Sequence, residues 1–392
     1  MKPSGFPPVV LQSGFRVFFL GAVIYSVVSM AVWLYFYVAG GNIFVAMPLT
    51  VWHAHEMVFG FTLAVVAGFL LTAVSNWTSL PTIHGLPLLG LFSVWSLARI
   101  FAFFPSSFSL WPLMACNLLF TLWLFGIVLM PILKVRQWKQ SAVLSKLLMI
   151  LICEVVFYGA LLHSDLVRER MMLKFAVYMI ISLILTIGRR IIPFFVEKGV
   201  GYPVTLNNSR FLDYSSVVLL VLLSVLDVFF QFPSAVSGIS LLLVLIHSLR
   251  IKGWYTHGIL SKPLLWVLFC GYMFIILGFA LKMMAMFSHR FDDAALHAWT
   301  SGGIGIFIIG MMARVSWGHT GRNISDPPHT LGWLFLMIIL GSVFRVFFTL
   351  LFDAQYIVWI GVSQVLWIAA YGMFLITYAP VLISARIDGK PG

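Results

Sequence analysis

The chain has 392 residues, of which 61% are hydrophobic and 9% are charged, and its formal net charge is +12. This composition excludes a soluble globular protein and indicates a polytopic membrane protein surrounded by membrane lipids. The positive charge does not indicate a nucleic-acid partner, because the basic residues lie in short segments between apolar runs and form no basic arm or stripe.

The cysteines argue against several redox classes. Cys116, Cys153 and Cys270 lie singly within apolar runs, without a C-x-x-C or C-x-x-C-H motif. We therefore expect neither disulfides nor cysteine-ligated clusters nor covalently attached c-type haem. No small-residue cleavage site with a polar mature region follows the first apolar run, so we expect that run to be a retained helix.

Continuous apolar runs predict an all-α polytopic bundle of about twelve transmembrane helices, forming a single transmembrane domain over residues 1–392. The runs do not alternate between apolar and polar residues, which argues against barrel strands. The predicted spans are 16–38, 52–74, 84–104, 110–133, 142–162, 171–192, 211–230, 234–250, 263–285, 294–316, 330–351 and 355–383.

The distribution of basic residues predicts the orientation. An even number of spans puts both termini on one side, and 17 of the 24 Lys and Arg residues fall on that side, against 5 on the other. The remaining two, Arg99 and Arg345, lie inside spans. Because cytoplasmic loops are enriched in Lys and Arg, we predict that both termini are cytoplasmic.

Two histidines and a glutamate open the second span in the sequence WHAHEMVFGF at 52–61. Residues on a helix advance by about 100°, so His53 and His55 point to different sides, and His53 shares a face with Glu56. We predict that one imidazole binds a cofactor and that the other binds at a second site or to a carboxylate. Glu56 would orient an imidazole or relay protons. The alternative is a pair of interfacial histidines bonded to water or to free backbone groups.

A haem pocket that opens to the outside is a second hypothesis. Haem b in a membrane bundle needs neutral imidazole ligands from facing helices and cations for its propionates. His297 opens span 10 from the outside, and we predict that it ligates haem together with His53 or His55. Arg99 and Arg345 lie at the same level and are candidates for pairing with the propionates. Snorkelling of these arginines to the outer interface is the alternative.

Imidazoles also suit copper. The candidate metal ligands at span ends are His53, His55, His247, His297 and His319. A second site on the inner side, built from His247 and His319, is a further hypothesis. Four arginines accompany it: Arg189, Arg190, Arg314 and Arg322. The alternative is that these arginines only follow the positive-inside rule and that His319 ends a helix.

Several motifs, in order along the chain, resemble the NnrS family. They are WHAHEMVFGF at 52–61, AGFLLTAV at 67–74 with NWT at 76–78, GRRIIPFF at 188–195 and ARVSWGHTGR at 313–322. The resemblance implies a bacterial inner-membrane protein of twelve helices that carries haem and copper and helps cells to withstand nitric oxide and nitrosative stress. The positions that match the motifs are His53, His55, Glu56, Arg189, Arg190, Arg314, His319 and Arg322.

The functional prediction is a protein that holds haem b and copper and protects against nitric oxide. It would bind or convert nitric oxide or another small diatomic ligand, or protect cellular iron from nitrosylation. Two alternatives stay open: a b-type cytochrome that passes electrons between quinol and a partner, and a proton- or metal-coupled transporter. The sequence leaves open whether the chain is an enzyme; if so, it would be a haem/copper oxidoreductase acting on nitric oxide or quinol.

Overall fold

The computed structural model describes residues 7–40 and 47–390. Within these ranges the chain forms long helices and short 3₁₀ turns without a strand, which confirms the predicted all-α membrane bundle. Eleven of the described helices are long and apolar enough to cross a membrane. The predicted span 84–104 corresponds to a shorter apolar helix, Leu86–Phe101, of 16 residues.

The twelve long helices of the described ranges correspond one to one with the predicted spans. They are α1 (Gly14–Ala39), α2 (Leu49–Thr78), α3 (Leu86–Phe101), α4 (Ser106–Lys134), α5 (Ser141–Leu162), α6 (Leu166–Gly199), α7 (Arg210–Phe230), α8 (Pro233–Trp254), α9 (Pro263–Met284), α10 (His289–His319), α11 (Thr330–Leu351) and α12 (Tyr356–Ile383).

Local sequence signals set several helix ends. Pro233 and Pro263 occupy the first positions of α8 and α9, where a missing backbone N–H costs no intrahelical hydrogen bond. The Ser209 side chain caps α7 by accepting a hydrogen bond from the Leu212 backbone N–H. Gly40 ends α1 with a φ of +61°, a conformation that glycine adopts without steric cost.

Four of the long helices contain a segment of π-helix, which is wider than an α-helix. The segments are Glu56–Thr62, Leu226–Phe230, Ala298–Gly305 and Phe344–Phe348. Such segments are rare and occur often at functional sites. Each one contains or directly follows a residue with a charged or imidazole side chain: Glu56, Asp227, His297 and Arg345. The distortions therefore single out four positions for closer description.

The chain divides into two compact units. Unit 1 contains residues 1–173, 312–323 and 371–392, and unit 2 contains residues 174–311 and 324–370. The prediction of a single transmembrane domain stays a prediction, and each unit is described by itself below.

In unit 1, Arg16 ties α1 to the end of α12. Its side chain is fully buried, and Nη1 donates hydrogen bonds to the carbonyl oxygens of Leu382 at 2.8 Å and Ser384 at 2.7 Å. The last carbonyls of a helix have no intrahelical partner and carry partial negative charge, so a buried guanidinium stabilises this end.

Candidate functional site

Five buried side chains of unit 1 form a closed ring of hydrogen bonds. His55 Nδ1 lies 2.7 Å from Glu56 Oε1, and His55 Nε2 lies 2.8 Å from the Tyr158 hydroxyl. Asn117 Nδ2 donates to that hydroxyl at 2.6 Å. Arg99 closes the ring, because it donates from Nη2 to the Asn117 side-chain oxygen and from Nη1 to Glu56 Oε2. The ring joins α2, α3, α4 and α5.

The pattern of donors assigns the protons. Glu56 Oε2 accepts from Arg99 and, at 2.5 Å, from the Tyr25 hydroxyl, so the carboxylate is an acceptor throughout. His55 Nδ1 therefore donates to Glu56. If the imidazole is neutral, Nε2 is left to accept from Tyr158. Each of the five hydrogen bonds that close the ring then joins a donor to an acceptor, and the charges of Glu56 and Arg99 cancel, while Arg99 Nε has no hydrogen-bond partner among the described residues.

The ring is enclosed within the unit. The side chains of His55 and Glu56 are fully buried and that of Arg99 is 4% exposed. The Phe157 ring lies 5.2 Å from the imidazole, and Trp95 donates to the Gly60 carbonyl at 3.0 Å. Removing either Glu56 or Arg99 would leave a buried charge without a partner. In the intact ring the two charges compensate each other.

Gly60 leaves the space that the ion pair occupies. A Cβ at this position would collide with Arg99 Nη1 and lie 2.9 Å from Glu56 Oε2. We expect Gly60→Ala to destabilise the protein by about 1–3 kcal/mol, because the added methyl forces the pair apart. Thermal unfolding of the purified protein in detergent measures this effect.

Gly126→Ala is the matched control, since a Cβ at Gly126 of α4 would meet no atom within 4 Å. Alanine favours the helix over glycine by up to about 1 kcal/mol, so this variant should be as stable as the parent or more stable. Equal effects of the two substitutions would contradict the packing argument.

His53, the other histidine of the motif, lies outside the ring. Its imidazole stacks on the Trp33 ring of α1, with centroids 4.4 Å apart and planes inclined by 3°. It is only partly buried. The two histidines thus occupy different environments, as the helical spacing predicted, but Glu56 bonds to the adjacent His55 and not to His53.

In unit 2, the predicted haem ligand His297 contacts the predicted propionate partner Arg345. His297 Nδ1 donates to the Asp293 carbonyl at 2.8 Å, and Arg345 Nη2 donates to His297 Nε2 at 2.8 Å. The imidazole is therefore neutral, with its Nε2 lone pair turned toward a cation. Arg99, the other candidate for a propionate, is instead part of the ring in unit 1.

A second network in unit 2, the four-charge cluster, consists of Lys174, Asp227, Lys282 and Asp292. Each lysine contacts both aspartates: Lys174 at 3.0 and 3.1 Å, and Lys282 at 2.6 Å from Asp227 and in direct contact with Asp292. The Tyr178 hydroxyl donates to Asp227 at 2.8 Å. The side chains of Lys282 and Asp227 are 4% and 9% exposed, so the two charges inside the unit compensate each other.

His247 belongs to unit 2 and His319 to unit 1, and the predicted inner site that would combine them stays a prediction. His247 is fully buried, pairs through Nδ1 with the Tyr272 hydroxyl at 2.6 Å and stacks on Phe279. Its Nε2 has no hydrogen-bond partner among the described residues. The Arg250 Nη1 atom lies 3.4 Å from His247 Nδ1, on the other side of the ring.

The motif arginines have structural partners. Arg189 donates to Asp213 at 2.8 Å, and Arg250 contacts the same carboxylate at 3.1 Å. Arg322 lies over the Trp317 ring at 5.4 Å. Arg190 is exposed, and Arg314 is 7% exposed.

The end of α10 in unit 1 is covered by the chain that follows α12. Arg386 donates to the His319 carbonyl at 2.9 Å and to the Asp388 carboxylate. These hydrogen bonds hold the pKa of Asp388 below its usual range. Gly321 has a φ of +82° and packs against Asp388. The turn at 319–321 is therefore stabilised by the left-handed conformation of Gly321 and by Arg386.

The sequence analysis did not identify two members of the ring, the Tyr25 hydroxyl that donates to it, or the four-charge cluster as a site. Tyr25, Asn117 and Tyr158 were not selected, although an asparagine inside an apolar span was a signal. Lys174 and Lys282 entered the prediction only as topological charges, and Asp227 not at all. Within the described residues, no three His, Cys, Asp or Glu side chains lie together so that they could hold a metal ion.

Comparison with known proteins gave one family. The model of the NnrS family, described as NnrS protein, matches residues 9–386, nearly the whole chain. No curated protein matches the chain.

Proposed function

Because the chain belongs to the NnrS family, we propose that it protects bacterial cells from nitric oxide by means of bound haem b and copper. It would bind or convert nitric oxide, or protect cellular iron from nitrosylation. Family membership and the apolar helices support the broader statement that this is a multi-pass membrane protein of the nitric oxide response.

The observation that carries the haem proposal is the state of His297. Its Nδ1–H is bound by a backbone carbonyl, an arrangement typical of metal-ligating histidines, and its Nε2 keeps the lone pair that a metal needs. Arg345 Nη2 donates a hydrogen bond to that nitrogen at 2.8 Å, so binding of a metal there would require this hydrogen bond to break. The displaced cation could then pair with a propionate. The donor set of this pair therefore fits a haem.

A haem held by His297 would supply an iron that can take up a diatomic ligand. In this proposal His297 binds and orients the cofactor and Arg345 offsets a carboxylate charge. His55 is left out of the ligand set, because both of its ring nitrogens belong to the ring of unit 1. His247 is the candidate for copper, because its buried Nε2 has no hydrogen-bond partner among the residues described.

We place the protein in the bacterial cytoplasmic membrane with both termini in the cytoplasm. The asymmetry of 17 against 5 basic residues between the two sides supports this orientation. Fusions of the C-terminus to a reporter that is active only in the cytoplasm, and to one active only outside it, test it directly.

The first experiment is an optical spectrum of the purified protein, oxidised and reduced, with and without nitric oxide, together with copper analysis of the same sample. A b-type spectrum that shifts with nitric oxide supports the proposal. A b-type spectrum insensitive to nitric oxide would favour electron transfer with quinol. A protein with neither haem nor copper would favour a transporter and overturn the proposal.

His297→Ala is expected to abolish or shift the haem spectrum, because the substitution removes the proposed axial nitrogen. The matched control is His289→Ala, which alters an exposed histidine two turns earlier on α10 and should leave the spectrum unchanged. An unchanged spectrum in the His297 variant would contradict this choice of ligand.

A further inference from the structure

Glu154 lies in the middle of α5, within unit 1, and is fully buried. Neither of its carboxyl oxygens has a hydrogen-bond partner among the described residues. An acidic residue inside a membrane span is costly unless it is paired, hydrated or protonated. The hydrogen-bond ring does not include it, so its presence needs a separate explanation.

The charges around Glu154 argue that it is protonated. The charged groups within electrostatic range include Arg99 and Glu56, and the Cys153 and Tyr158 side chains are the neighbouring titratable groups on its own helix. The Arg99 cation is already compensated by its contact with Glu56. An ionised Glu154 would therefore be a second buried anion with the neutral Thr121 hydroxyl as its neighbouring donor and no cation of its own, which proteins avoid by keeping the carboxyl neutral.

The position of Glu154 connects it to the ring. Glu154 and Tyr158 are four residues apart on α5 and share one face, and the two side chains are close enough to interact electrostatically. Thr121 lies one turn from Asn117 on α4, which packs against α5, and its buried hydroxyl is the neighbouring hydrogen-bonding group of the Glu154 carboxyl. Glu154 and Thr121 thus form a polar layer next to Tyr158 and Asn117.

We propose that Glu154 is a neutral carboxylic acid that exchanges its proton with the hydrogen-bond ring through the Tyr158 hydroxyl. Glu154 releases its proton to the Tyr158 oxygen as the Tyr158 hydroxyl proton moves to His55 Nε2. The products are a Glu154 carboxylate and a His55 imidazolium, and the imidazolium remains paired with Glu56 at 2.7 Å. In this proposal, rotation of the Glu154 side chain away from the neutral Thr121 hydroxyl brings the carboxyl to Tyr158. The proposal does not depend on haem or copper.

Infrared spectroscopy of the full-length protein in lipid nanodiscs tests the protonation state. At neutral pH we expect a carbonyl-stretch band of a protonated carboxyl group that is lost in Glu154→Gln, a variant of the same size without an acidic proton. Glu169→Gln is the matched control, because Glu169 is another buried glutamate of unit 1, and the Glu154 band should remain. Absence of any band that depends on Glu154 would overturn the proposal.

Transfer into D₂O tests the route. The Glu154 band shifts when its proton exchanges for deuterium, and we expect Tyr158→Phe to slow this shift because the variant lacks the hydroxyl that carries the proton. Tyr178→Phe, which removes a buried hydroxyl from unit 2, is the control and should leave the exchange rate unchanged. Exchange at the parent rate in Tyr158→Phe would overturn the role of Tyr158.

Discussion

Replacing Glu56 by Gln is expected to lower the free energy of unfolding by about 3–5 kcal/mol, since removal of one partner leaves a buried charge uncompensated. The charge left behind is that of Arg99. Its side chain is 4% exposed, and its Nη2 already donates a hydrogen bond to the Asn117 side-chain oxygen. The amide keeps a single acceptor oxygen, so its NH2 group must face either His55 Nδ1 or the donors Tyr25 and Arg99, and one side of the carboxyl group loses its acceptor. Unfolding in mixed micelles, followed by circular dichroism, measures the change.

Two comparisons isolate the charge effect. Asp165→Asn removes a surface pair with Arg168, whose side chains are 33% and 60% exposed, and we expect a change within about 1 kcal/mol. The double variant Glu56→Gln with Arg99→Gln removes both buried charges and should recover part of the loss. If Glu56→Gln proves no more costly than Asp165→Asn, the ring does not stabilise the unit as an ion pair.

The helices could be predicted because the bilayer sets the length of each apolar run. The predicted spans 211–230 and 330–351 agree with α7 and α11 to within one residue. The largest differences occur where a helix extends beyond the apolar core: α6 runs from Leu166 to Gly199, past the predicted 171–192. The added turns contain charged residues, which lower hydropathy without ending a helix.

The ring could be predicted only in part. Two histidines and a glutamate within four residues are unusual in a chain with 9% charged residues, and they identified α2 as part of a candidate site. The regular helical angle placed Glu56 with His53, but the π-helix that begins at Glu56 changes the angular relation of the residues that follow. No local sequence pattern predicts the π-helix. Asn117 reaches Tyr158, the partner of His55, only because α4 and α5 pack against each other, which is a property of the folded unit.

Asp227→Asn is expected to destabilise the protein by about 3 kcal/mol, at the lower end of the range for a broken buried pair. The substitution removes one of the two carboxylates that lie between Lys174 and Lys282, so both ammonium groups must share Asp292. Asp292 is 34% exposed, and water can offset part of the excess positive charge, which is why we expect the smaller value. The same unfolding experiment in mixed micelles gives the change.

The control for Asp227 is Asp353→Asn, which removes another aspartate of unit 2 from an ion pair. Its partner is Arg290, and the two side chains are 71% and 46% exposed, so we expect a loss within about 1 kcal/mol. Asp227→Asn with Lys174→Met restores charge balance and should be more stable than Asp227→Asn alone, because the remaining Lys282 and Asp292 still pair. A double variant less stable than Asp227→Asn would contradict this argument. It would mean that packing and hydration stabilise the two lysines more than the aspartates do, and that the four-charge cluster does not stabilise unit 2.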